Sequence, residues 1–114
     1  MELSVDQRGD VSTVHVSGSV DGLTSESLQH VLSSEIEEGH HNLVADFGQV
    51  DYTSSAGLRV LLATLKTARS RGGDLRLAGP NPEVRKVLDL SGFTAILRVF
   101  TTVDDAVASF VRRA

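Results

Sequence analysis

The 114-residue chain has no cysteine, no tryptophan and only two prolines, and its aromatic residues are one tyrosine and four phenylalanines. Without cysteine there is no disulfide framework, no thiolate zinc site and no cysteine nucleophile, and nothing in the composition calls for an oxidising compartment. The first residues, Met1-Glu2-Leu3-Ser4-Val5-Asp6, lack a basic segment followed by an apolar one, and no stretch approaches the roughly 18 apolar residues needed to cross a bilayer. A cytoplasmic protein without membrane segments is therefore expected. Basic charge is also scarce, with 11 Lys and Arg against 15 Asp and Glu. Nonspecific nucleic-acid binding needs a basic stripe and stacking platforms, so nucleic acid is not an expected partner.

What is present is the material of one globular domain, residues 1–114. A chain this long removes roughly two-thirds of its unfolded surface from water, enough for a core without cross-links. Alternation after Gly9-Asp10 sets Val11, Thr13 and His15 on one side of a pleat and Ser12, Val14 and Val16 on the other, which predicts a hairpin with the segment around Leu3 and Val5. Thr24 or Ser25 is placed to cap a helix bearing Leu28, Val31, Leu32 and Ile36 and ending at Gly39. Residues 42–47 read as a buried strand, 48–53 as a loop. Ser54 or Ser55 then opens a helix whose Leu58, Leu61, Leu62, Leu65 and Ala68 recur at helical spacing, with Arg69 and Arg71 near its end and Gly72-Gly73 stopping it.

Residues 74–79 read as a further strand. Asn81 caps a short helix with Pro82 at its first position, Val84, Val87 and Leu88 facing inward, and Gly92 ending it. Residues 95–100 give a last strand. Thr101 or Thr102 starts a final helix with Asp104 and Asp105 in its first turn, Val103, Ala106, Val107 and Phe110 on its apolar side, and Arg112 and Arg113 at its end. The order ββαβαβαβα predicts an α/β domain: a mixed sheet with about four helices, parallel wherever a helix separates two strands.

Enzyme signatures are missing: there is no Gly-x-Gly-x-x-Gly, no phosphate loop, no His-Glu-x-x-His and no Gly-x-Ser-x-Gly. The adjacent His40 and His41 read as a solvated turn with no acid cluster at metal spacing, His15 as a sheet-face residue and His30 as surface, so neither metal nor cofactor is expected. The informative stretch is Tyr52-Thr53-Ser54-Ser55-Ala56-Gly57-Leu58-Arg59, where two hydroxyls meet the start of an amphipathic helix. Either serine suits an N-cap. Either also suits a phosphoacceptor, since a phosphate there lies beside free N–H groups and the positive end of the helix dipole.

Three ordered segments resemble the STAS family, and within it the single-domain bacterial anti-sigma factor antagonists. They are Gly18-Ser19-Val20-Asp21-Gly22-Leu23-Thr24, then Val44-Ala45-Asp46-Phe47 running on through Tyr52 to Leu58, and Leu77-Ala78-Gly79 with Pro82-Glu83-Val84 and Leu88-Asp89-Leu90-Ser91-Gly92-Phe93. The resemblance places the family's phosphorylated serine on Ser55 and its preceding acid on Ser54, which becomes the lesser candidate acceptor. It makes Asp21, Thr24 and Tyr52 through Arg59 candidates for partner contact. It further implies a separate GHKL-type serine kinase that doubles as the anti-sigma factor, a PP2C-type phosphatase, and a non-enzymatic switch. A mostly polar surface and modest net charge make a monomer the expectation. Two rivals share the sequence: an interaction subunit of another assembly, lipid-transport or stressosome-like, and an enzyme with Ser55 as nucleophile and a histidine brought near by folding.

Overall fold

A computed structural model describes residues 1–110. Along them run β1 (Glu2–Arg8), β2 (Val11–Val20), α1 (Thr24–Glu37), β3 (Asn42–Thr53), α2 (Ser55–Ser70), β4 (Asp74–Ala78), α3 (Pro82–Leu90), β5 (Arg98–Phe100) and α4 (Val103–Ala108). The strands form one sheet in the order β1-β2-β3-β4-β5. β1 is antiparallel to β2 across a turn in which Gly9 takes the positive φ of +62°, and the other three pairings are parallel.

Sheet order explains where the helices lie. Each parallel strand is laid down beside the last in one direction, so right-handed crossovers put α1, α2 and α3 on the same face. There Val14, Val16, Val20, Leu43, Phe47 and Leu77 meet Leu28, Leu32, Leu61, Leu65 and Leu88 in the main core. α4 follows the last strand with no further crossover to make. It covers part of the opposite face, where Ala106 packs on Val11, Val44 and Ala78.

Four details differ from the sequence reading. The expected loop at 48–53 is strand: β3 continues to Thr53, pairing Gln49 with Ser17, Val50 with Gly18 and Thr53 with Val20. β3 gains a residue on β2 between His15 and Ser17 and another between Gly18 and Ser19, so its inward residues fall at Phe47, Val50 and Thr53 rather than on alternate positions. The last strand begins at Arg98, because Phe93–Ala95 turn as a short 3₁₀ helix first. Val87, expected inside, is 38% exposed, since nine residues of α3 bury only the stripe of Val84 and Leu88. Finally, α1 is capped neither by Thr24 nor by Ser25 but by Asp21, as described below. Arg112 and Arg113 lie outside the described residues.

Candidate functional site

The end of β3 hands the chain to α2 at a fixed point. The Ser54 N–H donates to the Val20 carbonyl (2.8 Å), pinning the junction to the end of β2. Ser54 is the N-cap residue in extended geometry, but its side chain does not cap α2: its Oγ is buried with no hydrogen-bond partner among the described residues. Ser55, the first helical residue, is exposed and forms no side-chain hydrogen bond among the described residues. The two serines left open by the sequence are thus distinguished by access. The N–H groups of Ser55, Ala56 and Gly57 sit where no carbonyl of the same helix reaches them, and the first turn carries no acid.

Gly57 makes this junction possible. It is buried, and a Cβ there would strike Thr53 Oγ1 and lie 2.8 Å from Val20 Cγ1. Thr53 is buried as well, 4% exposed. Both residues therefore shape the surface from below. What projects is Tyr52 at 54% exposure, Ser55 and Arg59, with Ala56 and Leu58 partly covered between them. Leu23, 85% exposed in the neighbouring β2–α1 loop, adds an apolar side chain. A depression of about 430 Å³ opens beside Ala56 and Arg59, floored by Gly22, Ser25 and Val60. Another, of about 340 Å³, lies between Tyr52 and the exposed side of α3 at Val87.

Asp21 and Thr24 hold that loop. Asp21 Oδ1 accepts from the N–H groups of Leu23 (3.0 Å) and Thr24 (2.9 Å), while Thr24 Oγ1 accepts from the Asp21 N–H (2.8 Å). This is a reciprocal capping box, with Asp21 in the capping role and Thr24 three residues on. Bonds from the Thr24 backbone and hydroxyl, then from the Leu23 N–H, hold the Asp21 carboxyl below its ordinary pKa. Thr24 Oγ1 also reaches the Ser19 carbonyl (2.8 Å), so both side chains are committed to the turn that displays Leu23.

Both ring nitrogens of His15 meet carboxylates, Nδ1 with Asp46 Oδ2 at 2.6 Å and Nε2 with Asp6 Oδ2 at 2.9 Å, and His40 Nδ1 meets Glu35 Oε1 at 3.0 Å. Among the described residues no histidine hydrogen-bonds Ser55. The fold does bring acids to His40, contrary to the sequence reading: Glu35, Glu38 and His40 offer ligand atoms within 4.8 Å of one another. Of these three groups at a helix end, Glu38 is exposed and Glu35 and His40 already hydrogen-bond each other. Among the described residues no helix is long and apolar enough to cross a membrane.

Comparison with known proteins matches residues 2–106 to the STAS domain. The chain is 36% identical over 110 residues to BtrV of Bordetella bronchiseptica, a candidate anti-sigma factor antagonist, covering 96% of this chain and 95% of that protein. The crystal structure of an anti-sigma factor antagonist from Mycobacterium paratuberculosis superimposes with a TM-score of 0.87 at 27% identity, covering 95% of this chain and 92% of that one. A Thermotoga maritima structure reaches 0.91 at 22% identity over 96% and 95% of the two chains, a likeness that speaks to the fold alone.

Proposed function

This chain belongs to the STAS domain family, and we propose that it is a non-enzymatic anti-sigma factor antagonist controlled by phosphorylation of Ser55. The unmodified protein docks on an anti-sigma factor through Leu23, Tyr52, Ser55 and Arg59, with Ala56 and Leu58 between them. The captured partner is a GHKL-type serine kinase, which then releases its sigma factor. A PP2C-type phosphatase resets the switch. ATP and magnesium belong to the kinase. The observation that carries this reading is the exposed hydroxyl of Ser55 on the first turn of α2, with no hydrogen bond among the described residues, beside a Ser54 whose own hydroxyl is buried.

The physics of the switch lies in where charge is added. A phosphate brings about −1.5 to −2 charges next to free N–H groups and the positive end of a 16-residue helix, so the domain tolerates it. In a docked interface the same charge must be desolvated between surfaces shaped for a neutral hydroxyl. A change of ~2.8 kcal/mol alters affinity about a hundredfold, within reach of one buried charge.

The test is binding of Ser55→Ala and Ser55→Asp to the cognate kinase, with phosphopeptide mapping of the protein from cells under varied growth conditions. Ser55→Ala should bind constitutively and Ser55→Asp at least tenfold more weakly. Equal binding of both variants, or a Ser55 that is never modified, overturns the switch and leaves a constitutive interaction subunit.

A further inference from the structure

β1 is an edge strand, paired with β2 on one side and with no other strand among the described residues. Its seven residues hold an unbroken register with β2, and it contains no proline, lysine or bulge; its edge charges are Glu2, Asp6 and Arg8. Its sequence is also complementary to itself. Leu3 and Val5 share the face of their partners Val16 and Val14, while Glu2, Ser4, Asp6 and Arg8 share the face of His15.

A two-fold axis normal to the sheet maps each face onto itself, so residues paired across two copies of β1 must come from the same face. The axis then passes through a residue. Centred on Ser4, the pairing sets Glu2 against the other copy's Asp6. Centred on Asp6, it sets Asp6 against itself, and centred on Leu3 or Gln7 it pairs only three residues of each strand. Centred on Val5, it sets Val5 on Val5, Ser4 beside Asp6, and Glu2 opposite Arg8 twice by symmetry, with no like charges opposed. Val5, the central residue, is 40% exposed in the single chain. Arg8 already binds Asp104 through Nη1 at 2.7 Å, and its remaining donors form no side-chain hydrogen bond among the described residues.

We propose that β1 docks antiparallel on β1 of a second copy of this chain, centred on Val5, joining two five-stranded sheets edge to edge. The dimer replaces the expected monomer and does not depend on the assignment of Ser55. A single strand pair is a small interface, so the association is reversible, with a Kd above about 1 µM.

Charge reversal tests the register in the full chain. In the Val5-centred pairing Glu2→Arg opposes arginine to arginine and Arg8→Glu opposes glutamate to glutamate, so each variant alone should dimerise about tenfold more weakly than wild type. Mixed, the two variants pair Arg with Glu at both ends and should associate as tightly as wild type. Sedimentation equilibrium from about 10 µM to about 1 mM reads the outcome, with far-UV circular dichroism confirming that both variants are folded. Wild type that stays monomeric throughout, or a mixture no tighter than either variant alone, overturns the proposal.

Discussion

At the residue scale, the site depends on side chains that are small or committed elsewhere. Gly57 has no room for a methyl group between Thr53 and Val20. Gly57→Ala should therefore destabilise the domain by about 1–3 kcal/mol in urea unfolding, the usual cost of forcing an atom into a packed site. An unchanged midpoint would mean that the junction relaxes freely. Ser54 leads to the opposite expectation. An N-cap serine replaced by alanine ordinarily loses about 1 kcal/mol, but here the hydroxyl does not cap the helix and is buried with no partner among the described residues. Ser54→Ala should leave stability unchanged or raise it, and a loss near the ordinary value would show that the hydroxyl does cap α2 in solution. Asp21, by contrast, holds two N–H groups of the α1 turn, so Asp21→Ala should lower the melting temperature and loosen the loop that carries Leu23. Because its carboxyl is held below the ordinary value of 3.8, that contribution is present above this pH and is lost as pH falls through the lower folded-state value.

At the element scale, β3 is the part that a reading of local pattern mistook. The mostly apolar run of residues 42–47 stops at Phe47, and Gly48-Gln49 looks like a turn. The strand continues because two added residues let β3 keep pairing with β2 while Val50 and Thr53 still point inward. In hydrogen exchange, the amides that β3 directs to β2 between Gln49 and Thr53 should be protected like those of a core strand. Exchange at loop rates would show that the pairing opens in solution. The short α3 depends on its start: Asn81 Oδ1 accepts from the Val84 N–H at 2.7 Å, and its Nδ2 donates to the Val50 carbonyl at 3.2 Å. This second bond ties the helix to the end of β3, a contact that the capping pattern alone did not announce.

At the scale of the whole molecule, His15 ties three strands together, from Asp6 on β1 to Asp46 on β3. Both ring nitrogens donate only when the imidazole is protonated. The hydrogen bond to Asp46, then that to Asp6, raises its pKa above the ordinary 6.5, outweighing the cost of partial burial. The folded state thus holds the proton more tightly than the unfolded chain. The resulting stability is fully present below 6.5 and is lost as pH rises through the folded-state value. The melting-temperature difference between wild type and His15→Gln should be greatest at the acidic end of that window and shrink on the alkaline side. A difference that does not vary with pH would remove His15 as the source.

The order of five strands and four helices along the described residues, the mixed sheet and most of the core were legible in the sequence, because helical and strand periodicities are properties of neighbouring residues. The segment from Tyr52 to Arg59 stood out in the sequence as two hydroxyls at a helix start, and α2 does begin there, at Ser55. Tertiary structure alone decided what depends on residues distant in the chain. Val20 fixes Ser54 and leaves Gly57 no room for a side chain; β2 draws residues 48–53 into the sheet; and two acids from neighbouring strands enclose His15. Access separates Ser55 from Ser54, and access is set by what packs around a residue, which its neighbours in sequence do not specify.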